Sequence, residues 1–358
     1  MKKAGALPAF RKQLLVIAVL ALCCFSLAQF CGYQLFKDSS QQPWLVDWGS
    51  TAPVRWKVIM GCVAAMWLLH FSRWLGRKAL NPSHRMQVTW ENEIVAVTGG
   101  SGDIGKAIIQ KLEEVGATTI IMDIAPPGYQ KGPKTFFFQT DVCSFESVNR
   151  THRRIRNTIG DPTMLIASAG YLNSKTILDS TEHDLRRTLD VNVVGVLSCI
   201  KAFLPHMLAV NNGHIMVISS VKAFISTANS VDYSSSKAAV MSIMEGLQTE
   251  LKHRYGNPLV KASLLLPSVV KTKMTDNVKQ PINRFILPLL EPAEVADRML
   301  QVLENGESDV LMIPRVANLA PWIHSLPPWV RVILQDISRN AIVSSGGLEE
   351  RENKVAIE

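Results

Sequence analysis

Cysteine is scarce. Of six in 358 residues, Cys23, Cys24, Cys31 and Cys62 fall in the apolar N-terminal region, leaving only Cys143 and Cys199 for the rest. No CxxC pair and no Cys/His spacing of the zinc type occurs, so neither a disulfide framework nor a metal site is expected, and the body of the chain suits a reducing compartment. Basic runs are also missing. The formal net charge is +8, yet lysines and arginines are scattered, with no basic stripe interleaved with aromatics. Nucleic acid is therefore not an expected partner. No internal repeat or low-complexity segment interrupts the chain, which excludes a solenoid or a disordered tether as its main architecture.

Long apolar runs are present, and the early positive charge flanks them. Residues 13–36 contain no charged side chain, enough to cross a hydrocarbon core that needs roughly 20 helical residues. Lys2, Lys3, Arg11 and Lys12 precede this run, which keeps its N-terminal end cytosolic. A second run, 58–71, lies between Arg55 and Lys57 on one side and Arg73, Arg77 and Lys78 on the other. Trp56, Trp67 and Trp74 suit a membrane interface. Residues 1–74 are thus expected to be a membrane anchor, with one span at about 14–35 and a second apolar segment at about 58–72. A helical hairpin leaving both ends in the cytosol is the expected topology. Its alternatives are one span with an interfacial helix, or a cleaved signal peptide ending near Ser26-Leu27-Ala28. Residues 75–92 read as a linker.

From Glu93 the texture changes. Short apolar, β-branched runs at 94–97, 119–122, 135–138, 163–167, 214–218, 260–266 and 309–313 read as buried parallel strands. Helical patterns at 104–115, 145–159, 182–210, 233–255 and 292–304 alternate with them. Such alternation predicts an α/β fold: a doubly wound, Rossmann-type parallel sheet of about seven strands, preceded by transmembrane or membrane-anchoring helices. The catalytic domain is expected at 93–315, and a Pro- and Trp-rich C-terminal tail at 316–358.

The first strand leads into Thr98-Gly99-Gly100-Ser101-Gly102-Asp103-Ile104-Gly105, which opens a helix. Glycines permit a tight turn and close backbone approach, so a pyrophosphate can rest on the helix N-terminus. Thr98, Gly99, Ser101, Asp103, Ile104 and Gly105 are therefore candidate cofactor contacts. Asp123 follows at the end of the second strand, eighteen residues beyond Gly105. A carboxylate there accepts ribose hydroxyls and repels a 2′-phosphate, favouring NAD over NADP. A turn or helix-capping role is its structural alternative.

These residues resemble the short-chain dehydrogenase/reductase family. Its Thr-Gly-x-x-x-Gly-x-Gly turn matches Thr98, Gly99 and Gly105, with Asp103 in place of the middle glycine. A carboxylate there is expected to weaken cofactor binding unless it turns to solvent. The resemblance implies that Asp141 and Val142 contact adenine and that Ala169 and Gly170 form a small surface under the cofactor. It also implies that Thr272, in Pro267-Ser268-Val269-Val270-Lys271-Thr272, reaches the nicotinamide. Ala167-Ser168 stands where the family has Asn-Asn.

Tyr233-Ser234-Ser235-Ser236-Lys237 puts a phenol and an ammonium four residues apart on one helix face. A tyrosine near pKa ~10 is a poor base at neutral pH, and a neighbouring ammonium is expected to lower it. Ser220, thirteen residues before Tyr233, can hold the substrate oxygen as charge develops; Ser219 reads as packing under the loop. The resemblance makes Asn192 the fourth member of the catalytic set, holding a water between Lys237 and solvent. Asn192, Tyr233 and Lys237 are expected to contact the cofactor as well.

The segment 273–288 reads as an apolar lid, with Met274, Ile282, Phe285, Ile286 and Leu287. An apolar lid on a membrane-tethered enzyme suits a lipophilic substrate: a retinoid, a steroid, or a long-chain alcohol or ketone. The run Lys201-Ala202-Phe203-Leu204-Pro205-His206-Met207 and the anchored layout look most like retinol and 17-beta-hydroxysteroid dehydrogenases of the endoplasmic reticulum and lipid droplets. That resemblance implies a cytosol-facing catalytic domain and a homodimer. Two other readings stay open: a nucleotide-binding scaffold or sensor with weak catalysis, and an NADP(H)-dependent lipid-pathway ketoreductase.

Overall fold

The computed structural model describes residues 54–82, 84–256, 258–276 and 288–337. The expected span at 14–35, most of the expected lid and the end of the tail lie outside the described residues. The chain divides into two compact units, Met1–Leu75 and Gly76–Glu358. Helix α1 (Val54–Leu80) carries the second apolar run. Along it Met66, Trp67, Leu68, Phe71 and Trp74 are exposed, and Phe71 and Trp74, one turn apart, stack with centroids 5.8 Å apart.

The second unit is built on seven strands: β1 (Ile94–Thr98), β2 (Thr118–Asp123), β3 (Thr135–Gln139), β4 (Met164–Ala167), β5 (His214–Ile218), β6 (Lys261–Pro267) and β7 (Val310–Ile313). All pair in parallel, in the order β3-β2-β1-β4-β5-β6-β7. Helices cover both faces, so a central strand needs apolar side chains at every position; this is why each apolar run of the sequence is a strand. Alternate side chains of β1 serve opposite faces. Ala96 joins one core and Val95 and Val97 the other.

One face carries α2 (Asp103–Glu114) and α7 (Pro292–Asn305), which pack together. The other carries α3 (Phe145–Thr158), α4 (Glu182–Leu189), α5 (Gly195–Ala209) and α6 (Val231–His253). The fully buried Ile108, Ile109 and Leu112 of α2 contribute on the order of 2 kcal/mol each. Local signals set the helix ends. The Ser144 side chain accepts the Ser147 N–H at 3.2 Å where α3 begins, and Thr181 and Asp184 form a capping box on α4. Helix α7 ends at Gly306, at φ 59°, where a Cβ would lie 2.0 Å from the Met86 carbonyl oxygen. That close approach forms part of the docking of residues 81–86 on this unit. Asn81 exchanges two hydrogen bonds with Ser308, and Met86 is buried.

The stretch expected as one helix over 182–210 is interrupted by a π-turn, Asp190–Val194, which carries Asn192 inward to full burial. Among the described residues, Glu182–Ala209 is long and apolar enough to cross a membrane, but 56% of its apolar window is buried in the domain, which marks a core helix. A short helix, α8 (Pro328–Ile337), follows the turns of Arg315–Ser325.

Candidate active site and nucleotide cleft

Strand order reverses between β1 and β4, and the crevice at their carboxyl ends is the ligand position of an open parallel sheet. A cleft of about 700 Å³ lies there. Its first wall is the turn after β1. Gly99 has φ +67°, and a Cβ on it would press on the Ala169 Cα at 2.8 Å. A Cβ on Gly105 would lie 2.2 Å from the Gly99 carbonyl oxygen. The sequence thus folds into a turn so tight that α2 starts directly under it, with Asp103, Ile104 and Gly105 lining the cleft. Buried Thr98 ties the turn to β4: its hydroxyl oxygen accepts the Ser168 and Ala169 N–H groups at 3.1 and 3.2 Å.

Gly99, Ser101, Asp103, Ile104, Gly105, Asp123, Asp141, Val142, Ala169, Gly170 and Thr272 all line this cleft. Asp123 accepts the Ser101 N–H at 3.0 Å and the Ala125 N–H at 3.4 Å, and these bonds hold its carboxylate toward the cleft with lone pairs to spare. Its turn role and a ligand role are therefore compatible. Asp103 turns neither to solvent alone nor away from the site: its Oδ2 accepts the Lys273 backbone N–H at 2.7 Å.

The residues fit a nicotinamide dinucleotide. The glycine turn supplies the space a Cβ would fill, and the cleft runs from Asp123 past the turn to Gly170 and Thr272.

Ser220, Tyr233, Lys237 and Asn192 gather beside the inner end of this cleft. A Cβ on Gly170 would be 3.7 Å from Asn192 Oδ1, 3.8 Å from Lys237 Nζ and 3.8 Å from the Met274 terminal methyl. The Lys237 ammonium lies 5.5 Å from the Tyr233 ring centroid and donates to the Ile218 carbonyl at 3.0 Å. The Ser220 side chain lies close enough to Tyr233 to pull its phenol pKa down. Ser220 is fixed from two other sides, donating to the Pro267 carbonyl at 3.3 Å and accepting the Lys222 N–H at 3.2 Å. Ser219 donates to the Lys237 carbonyl at 2.8 Å, a packing role beneath α6.

One detail differs from expectation. Burial pushes the Tyr233 phenol up to about 12, against a smaller downward pull from Ser220. It also pushes Lys237 down to about 8. Removing water from both groups disfavours both charges, and in the protein without ligand this outweighs the attraction that was expected to favour phenolate. Asn192, expected to hold a water beside Lys237, is itself fixed by protein partners. Its amide donates to the Tyr171 carbonyl and to Ser236, each at 2.9 Å, while Oδ1 accepts the Tyr171 N–H at 2.7 Å.

The short chain dehydrogenase family model matches residues 93–283, over half of the chain. The chain belongs to this family. A dehydrogenase named RED2 from Cochliobolus heterostrophus is 31% identical over 256 residues, which are 70% of this chain and 96% of that protein. Human epidermal retinol dehydrogenase 2 is 26% identical over 261 residues, 70% of this chain and 82% of its own. The crystal structure of a short chain dehydrogenase from Burkholderia cenocepacia in complex with NADP superposes with a TM-score of 0.59 at 25% identity, covering 69% of this chain and 99% of that one. The protein is accordingly a dehydrogenase/reductase on a fold that binds NAD(P).

Within this short-chain dehydrogenase, several residues went unread in the sequence. His183, Arg186 and Arg187 line the cleft from α4, and the Arg187 guanidinium stacks 4.4 Å from the Tyr171 ring centroid. Their signal was slight, since the family turn and strand ends draw attention to the sheet and not to an amphipathic helix beside it. Tyr129 donates to the Gly100 carbonyl at 2.7 Å and braces the glycine turn from a loop with no motif.

Proposed function

We propose that this protein is a membrane-anchored, NAD(H)-dependent dehydrogenase/reductase acting on a lipophilic alcohol or ketone of the retinoid, steroid or long-chain type. The observation that carries this reading is Lys237 beside Gly170 at the cleft, with the Tyr233 ring 5.5 Å from its ammonium and Ser220 acting on Tyr233 in turn. The glycine turn and Asp123 would hold a nicotinamide dinucleotide, which supplies the hydride acceptor or donor when bound. Asp123 favours NAD, because a carboxylate beside the adenosine ribose repels a 2′-phosphate.

In the oxidative direction Ser220 turns its hydroxyl hydrogen from the Pro267 carbonyl to the substrate hydroxyl oxygen and fixes it against Tyr233. The Tyr233 phenolate takes the hydroxyl proton; in reduction the phenol returns it to the carbonyl oxygen. The Lys237 ammonium stabilises the phenolate across the ring contact. Asn192 acts at one remove, fixing Tyr171 and Ser236 on either side of the site. A water relay from Lys237 would pass beside Asn192, whose Oδ1 shares the neighbourhood of Gly170 with Lys237 Nζ.

Membrane anchoring is supported by the uncharged run at 13–36 and by the exposed tryptophans of α1. The retinol dehydrogenase relative supports a lipophilic substrate, and the basic residues ahead of the uncharged run support a cytosol-facing domain. A homodimer through the Glu182–Ala209 stretch and α6, as the family resemblance implies, completes the reading. The test is titration of the full-length protein in mild detergent with NADH and NADPH, followed by energy transfer from tryptophan. NADH binding at least tenfold tighter supports it; tighter NADPH binding assigns the protein to NADP(H)-dependent ketoreductases instead. A folded protein that binds neither is not a nucleotide enzyme.

A further inference from the structure

Asp103 occupies the first position of α2, the end where unpaired N–H groups and the helix dipole favour an anion. The family pattern has glycine there. The Asp103 carboxylate accepts the N–H of Lys273, which opens the short turn Lys273–Thr275 after β6. Gly102, Asp103 and Ile104 line one wall of the cleft; Thr272, Lys273 and Met274 line the facing one. The bond thus joins the two walls at the phosphate-binding end, where a protein anion at the helix N-terminus already occupies the Lys273 N–H.

We propose that Asp103 is a built-in stand-in for the dinucleotide's phosphate, which an arriving pyrophosphate must displace. This rests on reading the cleft as an NAD(H) site. Displacement breaks the bond to Lys273 and swings the partly exposed carboxylate to water, because two anions cannot share the helix end. A charge-assisted bond of this kind sets the penalty at about ten- to hundredfold in affinity. The protein therefore holds its dinucleotide weakly and exchanges it readily. The penalty falls on the phosphates alone: an adenosine that sits by Asp123 and Val142 never approaches Asp103.

The experiment measures dissociation constants of ADP-ribose, NADH and adenosine for the full-length protein in detergent, as wild type, Asp103→Gly and Asp103→Asn. Asp103→Gly is expected to tighten ADP-ribose and NADH by about tenfold or more while leaving adenosine within about twofold. Asp103→Asn, uncharged but still able to accept from Lys273, falls between. If the wild type binds NADH and neither variant binds it tighter, the stand-in is overturned and the nucleotide site survives. Equal tightening of adenosine and ADP-ribose also overturns it, since the effect would not be on phosphate. If no form binds any of the three, both readings fall. Should glycine at 103 prevent folding, the near-isosteric asparagine variant decides alone: tighter NADH supports the proposal and unchanged NADH overturns it.

Discussion

Lys237 is a buried ammonium that donates to the Ile218 carbonyl, and its burial makes it costly to the fold. Burial lowers its pKa from 10.5 to about 8. At roughly 1.4 kcal/mol per unit, the charged form is disfavoured in the folded state by about 3 kcal/mol. Below pH 8 lysine is charged both folded and unfolded, so the whole penalty is present. Between 8 and 10.5 the folded protein releases its proton first, and stability rises; above 10.5 both states are neutral and the penalty is gone. Lys237→Met removes the penalty at every pH and leaves the Ile218 carbonyl short of a donor, a loss of about 1 kcal/mol. The variant should therefore be about 2 kcal/mol more stable than the wild type at pH 7 and about 1 kcal/mol less stable near pH 10.5. Urea unfolding of the full-length protein in mild detergent, followed by near-ultraviolet circular dichroism at both pH values, gives the difference. A gap between variant and wild type that does not change with pH would refute the reasoning. The enzyme, on this account, keeps a destabilising lysine because the chemistry needs it.

Thr98→Val preserves shape but strips the Ser168 and Ala169 N–H groups of their acceptor. It should lower stability by about 2–3 kcal/mol in chemical denaturation, and Thr98→Ser should recover most of that. Gly105→Ala forces a Cβ to within 2.2 Å of the Gly99 carbonyl oxygen. The turn must shift, so unfolding free energy should fall by about 1–3 kcal/mol and NADH affinity by about tenfold or more, as read by denaturation and fluorescence titration.

Legibility in the sequence followed locality. The central strands were visible because a sheet covered on both faces repeats one demand, apolar and β-branched, at every position; the edge strands β3 and β7 are partly exposed and were visible as short apolar runs. The glycine turn was visible because its conformation admits almost nothing else at Gly99 and Gly105. Tyr233 and Lys237 were visible because helical spacing alone puts them together. What escaped depends on tertiary surroundings. A π-turn at Asp190–Val194 has no compositional mark, so the helix through it read as unbroken. The direction of the Tyr233 shift is fixed by how much water the fold removes, which spacing cannot express. The partner of Asp103 lies 170 residues along the chain, so its charge could be read but its bond could not.

The central claim is that Tyr233 carries the proton of an NAD(H)-linked oxidation or reduction at this site. Its most direct test compares wild type and Tyr233→Phe in detergent, with NAD⁺ and a panel of lipophilic alcohols. NADH formation is followed by absorbance, and NADH binding by fluorescence. The account predicts turnover by the wild type, a loss of about a hundredfold or more in the variant, and NADH affinity within about twofold of wild type. Ordinary turnover by Tyr233→Phe would contradict it.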